Sequence, residues 1–189
     1  MDPIIKFCGA CGAPVIQKIP VGDSMLRHVC TACDTIHYRN PRLIVGSLPE
    51  WGERILLCRR AIEPGYGKWT LPAGFMENGE TVANAAIRET SEEAGARIAL
   101  DHLFSLISVP HIDQVHAIYR AQLLDLDFSA GEETLELRLF SEDEIPWDDI
   151  AFRTIHLTLR HYFADRSAGR FRFHEETIPP PLSPQHGVR

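Results

Sequence analysis

The chain has 189 residues, of which 44% are hydrophobic and 24% charged, an ordinary composition for folded domains with room for one medium domain and a small one. A formal net charge of −7 and a pI near 5.7 argue against unaided binding to a nucleic-acid backbone, which needs clustered positive charge. No run approaches 18 apolar residues, so no membrane span is expected, and the opening MDPIIKFCG lacks the basic-then-apolar order of a secretory signal. The chain is therefore read as cytosolic.

Residues 1–40 form the first unit. Cys8-Gly-Ala-Cys11 and Cys30-Thr-Ala-Cys33 are two Cys-x-x-Cys pairs with 18 residues between them. In a reducing compartment such pairs are metal ligands more often than disulfides, and this spacing points to a four-thiolate Zn²⁺ site. A redox pair is the alternative. His28 and His37 are near in sequence, but four cysteines already fill a tetrahedral shell, so both are read as non-ligands. Val15 to Ile19 and Leu26 to Val29 read as short strands joined at Val21-Gly22-Asp23-Ser24. So short a unit cannot bury a sufficient core, so the metal is expected to supply most of its stability.

Pro41 marks a boundary, and residues 41–172 form the second unit. Strands are expected at 43–48 and 54–59 around a turn at Pro49-Glu50-Trp51-Gly52. Cys58 reads as a small buried hydrophobe. Arg59 and Arg60 read either as a solvated strand end or as phosphate contacts. Trp69 reads as core or as a pocket edge. Residues 81–94 read as a helix with Thr81 as N-cap and Gly95 as stop. Val82, Ala83, Ala86, Ile87, Thr90 and Ala94 share one side at helical spacing, and the Thr90 hydroxyl can bond back to the Ala86 carbonyl. Glu89, Glu92 and Glu93, at i, i+3 and i+4, crowd one patch and repel. A solvated acidic face is the bland reading; a hard, oxygen-loving cation such as Mg²⁺ or Mn²⁺ is the functional one. Further strands are expected at 97–100, 103–109, 116–124 and 135–140, a short helix at 141–145, and a helix at 150–164 with Ile155, Leu159, Tyr162 and Phe163 inward. Residues 173–189, with four prolines, read as a flexible tail.

From Gly74 the order is Gly, five residues, Glu80, seven residues, Arg88-Glu89, two residues, Glu92-Glu93, one residue, Gly95. This resembles the Nudix box, GX5EX7REUXEEXGU, at every fixed residue; Thr90 and Ala96 stand where bulky aliphatics are usual, which suggests thinner packing. Trp69-Thr-Leu-Pro-Ala-Gly74 resembles the family's WxLPGG entry, whose backbone carbonyl, here that of Ala73, is a metal ligand. The stretch from Glu132 to Phe140, EETLELRLF, resembles a later acidic segment, making Glu133 the first and Glu136 the second candidate for a further carboxylate.

The resemblance implies an α+β fold: a Nudix α/β/α sandwich with a mixed sheet, preceded by a small zinc-ribbon β domain. It implies Mg²⁺ or Mn²⁺ on Ala73, Glu89, Glu92, Glu93 and Glu133, with Arg88, Glu80 and Glu136 orienting them. The implied reaction is hydrolysis of a diphosphate linkage in a small nucleotide substrate. The order of motifs over residues 5–175 is similar to plant chloroplast FAD/ADP-ribose pyrophosphatase and its bacterial relatives, which implies FAD or ADP-ribose as substrate and AMP as product. Pro110, 15 positions past Gly95 (110 − 95), resembles a proline that marks ADP-ribose hydrolases. NADH pyrophosphatases carry SQPWPFPxS after the box, where this chain reads LISVPHIDQVH. A housecleaning nucleoside triphosphate hydrolase, an NADH pyrophosphatase, and a ribbon-based RNA- or protein-binding regulator with a sensing Nudix domain are the competing expectations. Many related enzymes are dimers, so a homodimer is expected. Phe75, Phe104 and Tyr119 are candidates to stack on a base or to fill the core.

Overall fold

The computed structural model describes residues 5–181, and the chain divides into two compact units, Met1–Pro41 and Arg42–Arg189. In the first unit, β1 (Val15–Lys18), β2 (Arg27–Cys30) and β3 (Ile36–His37) form an antiparallel sheet in that order. The β1–β2 connection is held by Asp23, which accepts the Ser24 and Met25 N–H groups and pairs with Arg27 at 2.8 Å. Among its described residues only Cys8, Pro20, Val29 and Cys30 are buried.

The second unit is built on β4 (Arg42–Trp51), β5 (Arg54–Arg60), β6 (Trp69–Thr70), β7 (Ala73–Phe75), β8 (Ile98–Val109), β9 (Gln114–Leu123), β10 (Thr134–Phe140) and β11 (His174–Thr177). The strand order is β10-β5-β4-β9-β8-β11, with β6 on β5 and β7 on β4; the β4–β9 and β8–β11 pairs are parallel and the others antiparallel. Helices α1 (Val82–Ala94) and α2 (Arg153–Ser167) cover opposite faces. The two-residue period of a strand explains why Ile55-Leu56-Leu57-Cys58 is apolar throughout. Ile55 and Leu57 pack with Ile155, Leu159, Tyr162 and Phe163 of α2, while Leu56 and Cys58 pack with Ala94 at the end of α1. Trp69 is partly buried, meets Phe140 edge to face at 4.9 Å and packs against the core. Among the described residues, no helix is long and apolar enough to cross a membrane.

Helix α1 begins and ends as its sequence dictates: Thr81 Oγ1 accepts the Asn84 N–H at 3.1 Å, and Gly95 closes the helix at φ +58°. Its buried face is Ala85, Ala86, Glu89, Thr90, Glu93 and Ala94. Ile87, expected inward, is 43% exposed. At about 100° per residue it lies off a face that is lined by small residues, which lets the helix sit close to β4. Thr90 does not leave a gap there. Its hydroxyl donates to the Ala86 carbonyl at 2.7 Å and lies 2.6 Å from the buried Ser47 hydroxyl. Thr90→Val is expected to orphan the Ser47 hydroxyl and cost about 1–3 kcal/mol in denaturant unfolding. The Ser47→Ala/Thr90→Val double variant should recover part of that loss, since both polar partners are then gone. A double variant as unstable as the sum of the singles would refute the coupling.

Several boundaries differ from the sequence reading; the helix expected at 150–164 is Arg153–Ser167, and three other differences have a plain cause. Strand β4 runs through Pro49 to Trp51, because Pro49 and Glu50 pair with Ala121 and Gln122 of β9, and neither β5 nor β7 pairs with Ser47–Pro49. Glu50 tolerates burial there because Arg120 pairs with it at 2.5 Å and the Tyr162 hydroxyl donates to it at 2.6 Å. Residues 98–109 make one strand, with irregularities between Leu100 and Ser105 absorbing the break expected at 101–102. Part of the stretch read as a tail, His174–Thr177, is strand β11 beside β8. It is tied down by the His174–Asp165 pair at 2.8 Å and by stacking of His174 on His161 at 4.0 Å. Burial opposes the charge of Asp165, but His174 and the Arg172 N–H hold its carboxyl below the usual range. Residues 182–189 of that stretch lie outside the described residues.

Candidate active site and thiol cluster

The two Cys-x-x-Cys pairs come together. Their four Sγ atoms lie within 4.8 Å of one another, with Cys8–Cys33 at 3.7 Å and Cys11–Cys30 at 3.4 Å. A tetrahedron of sulfurs about 2.3 Å from a central ion has edges of about 3.8 Å, so the cluster is sized for one soft cation. Backbone N–H groups of Ala10, Ala32 and Cys33 point at the Cys8 and Cys30 sulfurs at 3.4 Å, the donors a bound thiolate wants. The Cys33 thiol is held down to about 6 by bonds from Thr35, whereas Cys11, despite the Ala13 amide, is pushed up to about 12 by the Cys30 and Cys33 thiols. Crowded sulfurs that cannot all ionise alone are what a cation resolves. His28 bonds to Gln17 at 3.3 Å; His37 Nε2 lies 3.3 Å from Cys8 Sγ, outside the four-sulfur set.

In the second unit the carboxylates of α1 divide. Glu89 and Glu93, one turn apart, are buried, while Glu92 is 58% exposed. Arg88 supplies the compensating charge on the exposed side: it pairs with Glu80 at 2.8 Å, Glu89 at 2.7 Å and Glu92 at 3.0 Å, and donates to the Phe75 carbonyl at 3.1 Å. Its bond holds the Glu80 carboxyl below the usual range. Burial raises Glu89, with Arg88 opposing. Glu93 accepts the Ala73 N–H at 3.1 Å and has no cation paired with it among the described residues; burial, reinforced by the nearby Glu89 charge, pushes it up to about 8. Gly74 makes this packing possible, since a Cβ there would sit 2.3 Å from Glu89 Oε2.

Glu89, Glu92, Glu93, Arg88, Ala73 and Glu133 all line one cavity of about 1150 Å³. Glu133 is carried in by the turn before β10, where its carbonyl accepts the Ala61 N–H at 2.8 Å, and its charge raises both Glu89 and Glu93. Glu136 and Glu80 are not on the lining: Glu136 pairs with exposed Arg59 at 3.4 Å, and Glu80 stays behind Arg88. The two consecutive arginines part company because β5 alternates. Arg59 goes to solvent, whereas Arg60 is buried on the cavity wall, with Nε donating to the Pro64 carbonyl at 2.8 Å and its guanidinium 5.0 Å from the Phe152 ring. Phe75 lines the cavity; Phe104 is fully buried core and Tyr119 packs beside α1. The sequence reading missed the far wall: Gln114, His116, Thr154 and Ile178 carry no motif and reach the cavity only through strand register and the chain's return past α2.

Three buried or cavity-facing carboxylates, two of them with raised pKa and two, Glu93 and Glu133, without an ion pair among the described residues, form a hard-oxygen donor set. Residues 40–160 match the NUDIX domain model, nearly two thirds of the chain. The chain belongs to the Nudix hydrolase family. Residues 6–39 match a second model, described as Nudix N-terminal. The chain is 56% identical to a NUDIX hydrolase from Nitrosomonas europaea of known crystal structure, covering 92% of this chain and 99% of that one, with a TM-score of 0.89. It is 34% identical to an ADP-ribose pyrophosphatase of Methanocaldococcus jannaschii over 113 residues, 58% of this chain and 67% of that protein. A NAD-capped RNA hydrolase, NudC, of Chromobacterium violaceum is 30% identical over 162 residues, 82% of this chain; the chain spans 57% of that relative's length. Among Nudix proteins, then, this chain pairs the family's domain with the N-terminal cysteine module.

Proposed function

We propose that this chain hydrolyses the diphosphate linkage of an ADP-containing metabolite, ADP-ribose or FAD, releasing AMP. The observation that carries the reading is the meeting of Glu89, Glu93 and Glu133 on one cavity with Arg60, in a space large enough for a dinucleotide-sized ligand. Mg²⁺ or Mn²⁺ is the fitting cofactor, held by Glu89, Glu93 and Glu133 with Glu92 and the Ala73 carbonyl at hand; when bound, it neutralises phosphate charge and acidifies a water. The chain's own part is positional. Arg88 fixes the carboxylate of Glu89, the Ala73 N–H orients Glu93, and Arg60 offers its guanidinium to a phosphate oxygen in the same cavity. Zn²⁺ on Cys8, Cys11, Cys30 and Cys33 is proposed as a structural ion. A homodimer is proposed as the working assembly, to be checked by light scattering.

A second reading is hydrolysis of NAD-type dinucleotides, including NAD at an RNA end. It is favoured by the NudC match, which extends over both units. The net charge of −7 and the LISVPHIDQVH stretch speak for a small adenylate substrate instead. A panel of ADP-ribose, FAD, NADH, NAD-capped RNA and nucleoside triphosphates, with Mg²⁺ or Mn²⁺ and products separated by chromatography, tests both. AMP from ADP-ribose or FAD at the highest kcat/KM is the expected result. Faster turnover of triphosphates, or of capped RNA alone, would overturn it.

A further inference from the structure

Helix α1 is capped at its start by Thr81, but helix α2 is not. Phe152 stands at its N-cap, and no side chain accepts a bond there. The first bond inside the helix runs from the His156 N–H to the Phe152 carbonyl at 3.0 Å. The N–H groups of Arg153, Thr154 and Ile155 are therefore left without a helical acceptor. Ala151, Phe152, Arg153, Thr154 and Ile155 all line the cavity that holds the carboxylates of α1. The open end of α2 is thus part of the wall of the candidate site.

Thr154 supplies an independent sign. It is 4% exposed, and its hydroxyl has no hydrogen-bond partner among the described residues. A buried hydroxyl left unpaired is destabilising, and at a cavity wall a ligand atom is what completes it. Side chains of a helix tilt toward its N-terminus, so this hydroxyl leans to the end where the amides are open. The charge there points the same way. The first turn of α2 holds no acid; it holds Arg153, which is exposed and makes no ion pair among the described residues. A cation at the positive end of a helix is unfavourable by itself and becomes favourable once an anion sits between the two. Arg60 adjoins the same turn: its guanidinium is 5.0 Å from the Phe152 ring, and a Cβ built on Gly65 would meet Ala151 Cβ at 3.3 Å and Arg60 Cδ at 3.6 Å.

We propose that the first turn of α2 is a phosphate subsite, in which the open N–H groups, the Thr154 hydroxyl and the Arg153 guanidinium grip a phosphoryl group of a nucleotide. This rests on the proposed diphosphate hydrolysis for the choice of a nucleotide, and adds a second anchor for its phosphate charge. The donors suit the ligand. Backbone N–H groups at a helix N-terminus, backed by the helix dipole, favour an anion with several oxygens, and a guanidinium adds charge-assisted bonds. The carboxylates of the same cavity can hold a phosphate only through a cation, whereas this turn offers its donors directly.

Calorimetric titration of the full chain with AMP, adenosine and inorganic phosphate is the test. AMP has no diphosphate to lose, so Mg²⁺ can be present throughout. The unaltered chain is expected to bind AMP at least about tenfold more tightly than adenosine or inorganic phosphate. Thr154→Val should weaken AMP by about tenfold, because a bond to a charged group is lost, and leave adenosine unchanged. Arg153→Gln, at an exposed and screened position, should weaken AMP by about threefold, and by less at high salt. Since the hydroxyl is unpaired in the free chain, Thr154→Val should not lower the unfolding midpoint without ligand, but should shrink the rise that AMP produces. A hydroxyl needed only for folding would give the opposite pattern. AMP bound no more tightly than adenosine, inorganic phosphate bound more tightly than AMP, or AMP affinity unchanged in both variants overturns the proposal. If no diphosphate substrate is hydrolysed yet AMP affinity depends on Thr154, the hydrolysis fails and the subsite stands. If ADP-ribose or FAD is hydrolysed while both variants bind AMP as the unaltered chain does, the subsite alone falls.

Discussion

Glu93→Gln is expected to lower kcat on the chosen diphosphate substrate by at least about 10²–10³-fold, with the fold intact. The amide keeps the volume of the carboxylate, and its oxygen can still accept the Ala73 N–H that holds Glu93 in place. What is removed is the capacity to carry a negative charge, at a buried carboxylate that makes no ion pair among the described residues, Arg60 acting on it only at longer range. Glu89→Gln should behave differently. It turns an ion pair with Arg88 into a neutral-acceptor bond as well as removing a charge, so it should lower both turnover and the unfolding midpoint. Circular dichroism melts alongside steady-state kinetics separate the two variants. Glu93→Gln with undiminished kcat at saturating Mg²⁺ would remove the basis for placing the reaction at this helix.

The second large effect is on the small unit. Stripping the proposed Zn²⁺ with a chelator, or replacing Cys30 with Ala, is expected to unfold residues 5–41 while the larger unit stays folded. Structural Zn²⁺ contributes an apparent ~10–16 kcal/mol in small domains, whereas burying a single valine contributes only ~1.5–3 kcal/mol. Val29 and Pro20 are the unit's only buried residues outside the cysteines among those described. Limited proteolysis should then cut between β1 and β2, and elemental analysis should show one zinc lost per chain. An unchanged cleavage pattern after zinc loss would show that the ribbon holds itself together by other means.

Helix α1, with its cap and its stop, was legible because these are local hydrogen-bonding rules. The thiol cluster was legible because four cysteines at that spacing leave few alternatives. The division of labour among the glutamates was not. A linear reading puts Glu89, Glu92 and Glu93 in one patch, but burial of 89 and 93 and exposure of 92 depend on how the helix is rotated against β4, which the small residues Ala85 and Ala86 decide. The fate of Arg59 and Arg60 turned on which side of β5 each faces. Gln114 and His116 were invisible, because nothing in the chain says that β9 will lie parallel to β4 two strands from the acids. Glu50 was read as a turn residue because its neutralising partners, Arg120 and Tyr162, are 70 and 112 positions away.

One guanidinium, that of Arg88, fastens the Phe75 carbonyl and Glu80 on the approaching loop to Glu89 and Glu92 on the helix. Its reach is therefore a ruler. The five residues between Gly74 and Glu80 must arc through a path whose two ends are pinned to one flat, inextensible group. Lengthening or shortening that arc by one residue would rotate a carboxylate or a carbonyl out of reach. The spacing in this stretch is then a matter of geometry rather than of chemistry at each place, and substitutions within the arc should be accepted far more readily than changes in its length.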